Sequence, residues 1–92
     1  MISTEVLYEG HVQGVGFRYT VKQIAKGFDV TGWVRNLPDG RVELRATGAE
    51  DEVRAFLSAI GESELRAHIH NQIETAFSAP PTGTKGFQIR HD

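Results

Sequence analysis

The sequence predicts an α+β fold: two helices packed on one face of a mostly antiparallel sheet, in the order β-α-β-β-α-β with a short extra strand at the C-terminal end. Three observations carry this reading. The apolar period switches along the chain between two and about 3.6 residues, each helical stretch has one apolar stripe, and a Pro- and Gly-bearing turn joins two alternating stretches.

Val6, Tyr8 and Gly10 fall on one side of an extended segment and Leu7 and Glu9 on the other, which suits a strand. Val21, Ile24, Ala25 and Phe28 then recur at i, i+3, i+4 and i+7, the stripe of a helix that starts near Arg18 and closes around Gly27. "VTGWVRN" is β-branched and aromatic, and "RVELRAT" alternates Val42, Leu44 and Ala46 inward against Arg41, Glu43 and Arg45 outward. Between them, "LPDGR" supplies proline to preset φ and glycine to accept a positive φ, so the two strands form a hairpin.

A second helix opens with Glu50, Asp51 and Glu52, acids at the positive end of the helix dipole, and continues through Val53, Phe56, Leu57 and Ile60 to stop near Gly61. "AHIHNQIETAF" reads as a strand with Ile69, Ile73 and Phe77 on one face, and "GFQIRH" as a short terminal strand. One stripe per helix places both helices on the same side of the sheet. The order is then that of a ferredoxin-like sandwich, a split βαβ arrangement that hosts enzymes, RNA binders and regulatory modules alike.

At 92 residues the chain has room for one domain, expected over residues 1–92, with its apolar residues spent on a single core. The only loop-like cluster of any length, Ser78–Gly86, is expected to be a surface connection inside that domain. A net charge of -2 lacks the broad positive field that non-specific nucleic-acid or anionic-membrane binding requires, so any anion site is local. With no cysteine, thiolate nucleophiles and thiolate metal sites are excluded. The opening segment has no basic stretch followed by an apolar one, and no apolar run approaches the ~20 residues of a membrane span. A soluble cytoplasmic protein, with nothing in the pattern that demands a partner subunit, is expected.

The stretch "GHVQGVGFR", Gly10–Arg18, joins the end of the first strand to the start of the first helix. The first helical N–H groups have no intrahelical acceptor there, and glycines let neighbouring N–H groups turn toward one point, forming an anion cradle. Arg18 can add a planar bidentate donor to the same anion, a charge-assisted contact worth about 1.5–3 kcal/mol. No Lys-Ser or Lys-Thr follows the glycines and G-x-G-x-x-G is absent, so the two common nucleotide loops are set aside. Taken alone, such a stretch is equally a tight connection with a solvated arginine.

A second segment bears on that choice. In a split βαβ unit the first two strands run parallel with the third between them, so their C-terminal ends share one edge and Asn36 emerges near the cradle. A neutral carboxamide can hold a water without repelling a phosphate; Asn36 also suits a turn beside Pro38 and Gly40.

Together, "GHVQGVGFR" and "GWVRNLPDGRVEL" resemble the signature of the acylphosphatases, and the likeness extends through the strand-helix order to the terminal "GFQIR". The resemblance implies hydrolysis of a small acyl phosphate to a carboxylate and inorganic phosphate, with no metal or cofactor. By motif match it assigns phosphate binding to Val12, Gln13, Gly14, Val15, Gly16, Phe17 and Arg18, and positioning of the attacking water to Asn36, with Arg18 and Asn36 the catalytic pair. His11 departs from the basic residue frequent in similar proteins, and Gln72 stands where an apolar strand residue is usual, which puts the packing of that strand in question. The implied mechanism is positioning and electrostatic stabilisation of a loose transition state, with no titratable base in the motifs.

Other features have plainer readings. His68 and His70, two apart, are expected to share a strand face as solvated residues, because no third metal ligand is placed. Trp33 is expected to be a core or half-buried strand aromatic. An RNA-binding domain of the same topology is disfavoured by the lack of aromatics in "RVELRAT" and by the net charge. The alternative from another class is a regulatory module that binds a small anion without turning it over.

Overall fold

Cross-strand register turns the alternating patterns into one apolar layer. In β1 (Ile2–Gly10) Val6 and Tyr8 are buried while Leu7 and Glu9 lie on the other side. In β2 (Val30–Asn36) Val34 is buried, and in β3 (Val42–Gly48) Val42, Leu44 and Ala46 are. Val6 and Val34 both pair with Leu44, so the apolar faces of the three strands align. Full burial of each such side chain contributes about 1.5–3 kcal/mol. Two edge strands complete the sheet, β4 (Ile69–Phe77) antiparallel to β1 and β5 (Phe87–Arg90) parallel to β2, in the order β4-β1-β3-β2-β5.

The computed structural model describes residues 1–77 and 86–91, so the expected connection over Ser78–Gly86 lies, apart from Gly86, outside the described residues. Helix α1 (Phe17–Ala25) buries Phe17, Val21 and Ala25, and α2 (Glu50–Gly61) buries Val53, Phe56 and Ile60, against the same sheet face. Both helices form where their stripes place them, and the architecture is the ferredoxin-like α+β sandwich. Among the described residues, no helix is long and apolar enough to cross a membrane.

The segment before β4 departs from expectation. Residues Glu64–His68 form a 3-10 helix rather than the start of a strand, because Ser63 caps it by accepting from the Leu65 N–H at 3.1 Å and Leu65 is buried. A bulge follows: Glu9 pairs with Asn71 but Gly10 pairs with Ile69, so His70 has no partner across the ladder. Ile69 therefore packs against the core while Ile73, opposite Leu7, is 45% exposed, and the single face expected for them does not exist. His68 ends the 3-10 helix and lies outside β4, so it shares no strand face with His70. Gln72 is exposed at the sheet edge and donates to Glu74 at 2.9 Å, so this strand is held by its ladder with β1 and not by an apolar side chain at that position.

The open sheet face is charged. Trp33 is half-buried there, with the guanidinium groups of Arg90, Arg35 and Arg45 at 4.9, 5.2 and 6.0 Å from its ring. Glu43 and Glu5 pair with Arg35 and Arg45 at 2.7 and 2.8 Å, which offsets two of the three charges.

Candidate active site

Because β1 and β2 both run antiparallel to β3, their C-terminal ends meet the same edge of the sheet. The chain leaves β1 at Gly10, donates from the His11 N–H to the His68 carbonyl at 3.0 Å, and crosses to α1 over residues 12–16. Val12 and Phe17 anchor this crossing in the core at 0% and 2% exposure, and the Phe17 ring packs 5.1 Å from that of Tyr8. Burial pushes the Tyr8 phenol well above its ordinary pKa, with the charge of Glu74 adding to the effect, so Tyr8 stays neutral and serves as packing. Val15 packs against the same core from the partly exposed side.

Between these anchors Gly14 and Gly16 take φ values of 80° and 77°, the left-handed region that side chains avoid. Nothing lies within 4 Å of where a Cβ would be at either position, so conformation and not space demands glycine. Gly16 is the N-cap of α1 and offers no side-chain acceptor, and the first turn has no acid. Among the described residues, none of the N–H groups of residues 12–19 donates to a backbone carbonyl. The start of α2 is the opposite case, with Glu50, Asp51 and Glu52 in its first turn. Of the two helix starts, α1 is the one left electropositive.

Gln13 faces away from this concavity. Its Nε2 donates to the carbonyls of Leu37 at 2.8 Å and Arg41 at 2.9 Å, the residues that close the β2–β3 hairpin through a Leu37 N–H to Arg41 carbonyl bond of 2.8 Å. The turn itself is fixed by Asp39, whose carboxylate accepts from the Arg41 N–H at 3.0 Å and from Arg41 Nε at 2.8 Å. Those bonds, the backbone one foremost, hold the Asp39 carboxyl below its ordinary pKa.

A cavity of about 190 Å³ opens at this edge. Val12, Gly14, Gly16 and Phe17 line it from the crossing, and Arg18 and Tyr19 from the first turn of α1. Asn36, the last residue of β2, lines it from the sheet, and Ile89 and His91 from β5 and the residue beyond. Arg18 Nη1 donates to the Arg90 carbonyl at 3.3 Å and lies 3.4 Å from His91 Nδ1. Among the described residues, the lining holds one guanidinium and no carboxylate. Larger hollows exist, one of about 370 Å³ between α2 and β4, but Glu62 and Glu74 face it alongside Arg54 and no free helix start opens on it.

Arg18 and Asn36, 18 residues apart in the chain, thus line one concavity at the edge that the C-terminal ends of β1 and β2 share. Of the crossing, Gln13 and Val15 do not line it. Tyr19, Ile89 and His91 do, and the sequence reading passed over them; Tyr19 adjoins Arg18 in the chain, whereas Ile89 and His91 arrive only through the parallel pairing of β5 with β2. The His11 and His68 rings lie 5.9 Å apart, and among the described residues no group of three or more His, Cys, Asp or Glu side chains is placed to hold a metal.

A model of the acylphosphatase family matches residues 4–89. The chain belongs to the acylphosphatase family. Similar curated proteins include the acylphosphatase of Listeria welshimeri, 53% identical over 80 residues covering 87% of this chain and 86% of that protein. The acylphosphatase of Methanospirillum hungatei is 48% identical over 67 residues, 73% of this chain and 74% of that one. The crystal structure of acylphosphatase from Bacillus subtilis superposes with a TM-score of 0.88 at 33% identity, covering 98% of this chain and 99% of that chain. Acylphosphatases are hydrolases acting on acid anhydrides, and that is the enzymatic class of this protein.

Proposed function

We propose that the cavity binds the phosphoryl end of a small acyl phosphate, and that a water held by Asn36 attacks phosphorus to release the carboxylate and inorganic phosphate. The observation that carries this is the meeting of an uncapped, acid-free helix start, one arginine and one neutral carboxamide on a single cavity that no carboxylate lines among the described residues. Each component has a separate task. The N–H groups of the crossing and of the first turn of α1 donate to phosphoryl oxygens, and the dipole of α1 favours their charge. Arg18 adds a charged donor that follows the oxygens as they gain charge in the loose transition state. Asn36 accepts from the water through Oδ1 and can donate to a phosphoryl oxygen through Nδ2.

The new bond is from water oxygen to phosphorus, and the bond that breaks joins phosphorus to the acyl oxygen, whose electron pair leaves on the carboxylate. The water protons end on phosphate and solvent. An acyl phosphate already carries a good leaving group, so alignment and charge stabilisation carry the rate and no base is assigned. Val12, Gln13, Gly14, Val15, Gly16 and Phe17 shape the binding loop, Gln13 and Val15 by holding it from outside. We read residues 1–92 as one domain acting as a cytoplasmic monomer, on a small-molecule substrate and not on nucleic acid.

Hydrolysis of benzoyl, acetyl and carbamoyl phosphate, each with and without a chelator, tests this reading. Release of phosphate from acyl phosphates, undiminished by chelator, is the expected result. Phosphate binding with no turnover of any of the three would assign the site to a non-catalytic anion module instead.

A further inference from the structure

The phosphoryl reading leaves the other half of the substrate without a partner, and Tyr19 is placed to supply one. Tyr19 follows Arg18 in the first turn of α1 and lines the same cavity, yet it is 64% exposed. Among the described residues, Met1 and Ile73 are the other exposed large apolar side chains, and neither lines the cavity. The Tyr19 ring, again among the described residues, makes no hydrogen bond and no contact with another ring or cation. An aromatic side chain held in water with no partner in its own fold is a free surface for a ligand.

The depth of the lining separates the two ends. Val12 and Phe17 are buried and carry the loop between them, whereas Tyr19 and His91, which line the same cavity, are exposed and Ile89 is half-buried. A tetrahedral group seated on the amides must send its bridging oxygen and acyl group outward past these exposed residues. Resting on the phosphoryl reading above, we infer that Tyr19 is a specificity-determining residue whose ring packs on the acyl group, favouring acyl phosphates with a planar aromatic acyl group over small ones. His91 and Ile89 line the same cavity.

The test compares wild type, Tyr19→Ala and Tyr19→Phe on benzoyl phosphate and acetyl phosphate, with competitive inhibition by inorganic phosphate measured in parallel. Alanine is the best helix former and the site is exposed, so α1 tolerates the change. In Tyr19→Ala the ratio of kcat/KM on benzoyl phosphate to that on acetyl phosphate falls about three- to tenfold, the size of one aromatic contact, and Tyr19→Phe restores it. An unchanged ratio in Tyr19→Ala overturns the inference while leaving the phosphoryl site intact. An equal fall on both substrates together with weaker phosphate inhibition also overturns it, since Tyr19 would then act on the phosphoryl end. If wild type hydrolysed neither substrate, this inference and the phosphoryl reading would both be lost.

Discussion

Gln13 Nε2 lies 2.8 Å from the carbonyl oxygen of Leu37, the residue that follows Asn36 in the chain. Its second proton reaches the Arg41 carbonyl at 2.9 Å. β1 and β2 are separated by β3 and share no ladder, so the loop after β1 and the carboxamide at the end of β2 have no backbone bond between them. The sheet joins them only through β3, where Val42 pairs with both Tyr8 and Asn36. The Gln13 side chain adds a direct tie from the loop to the hairpin 24 and 28 residues away and so helps to fix the loop relative to Asn36.

Gln13→Ala removes this tie. Both carbonyls keep an acceptor role within the hairpin, from the Gly40 and Leu37 N–H groups, so the stability loss stays near one ordinary hydrogen bond, about 1 kcal/mol. The kcat falls about tenfold, because the two halves of the site drift relative to one another. Gln13→Glu is worse on both counts: a carboxylate has no proton for the carbonyls and adds negative charge behind the cradle. Urea unfolding and steady-state kinetics on the three proteins check the order.

Arg18→Ala removes the one guanidinium that lines the cavity among the described residues. Its contact with the Arg90 carbonyl is long at 3.3 Å, so folding stability changes by less than about 1 kcal/mol. Turnover drops by about 10³-fold or more and phosphate inhibition weakens. Retention of kcat/KM on benzoyl phosphate within a factor of a few would remove Arg18 from the site. Lysine in its place keeps the charge but loses the planar fork, and recovers part of the activity.

Asn36→Ala separates water positioning from anion binding. The kcat falls by about 10²-fold or more while the inhibition constant for inorganic phosphate stays close to wild type. A parallel loss of both would make Asn36 a phosphate ligand or a structural residue.

Gly16→Ala probes the loop backbone. No atom stands within 4 Å of the added Cβ, so the whole cost comes from φ at 77° and amounts to about 1–2 kcal/mol. The strain is relieved by turning the peptide units around residue 16, which redirects the loop amides and, on the proposed reading, weakens phosphate binding. Thermal unfolding and phosphate titration of the variant measure the two effects separately.

Much of this site was legible in the sequence because its parts are local. Three glycines and an arginine within Gly10–Arg18 announce a bare loop feeding a helix, and the split βαβ order alone brings Asn36 to the same edge. What escaped depends on tertiary pairing. Ile89 and His91 reach the cavity through a parallel ladder between β5 and β2 that no local pattern encodes. The bulge at His70 adds one residue to a period of two, so the face of Ile69 reversed without any change in residue type. Gln13 reads as a polar loop residue, and only the folded hairpin gives its amide two carbonyls to hold.

Titration of the isotope-labelled protein with inorganic phosphate, followed by amide nitrogen–proton NMR, tests the central claim most directly. The account predicts saturable shifts concentrated on the amides of Gln13 through Arg18 and on the Asn36 side chain, with a dissociation constant equal to the inhibition constant in the hydrolysis assay. Shifts confined to another surface, or none at concentrations that inhibit turnover, would contradict it.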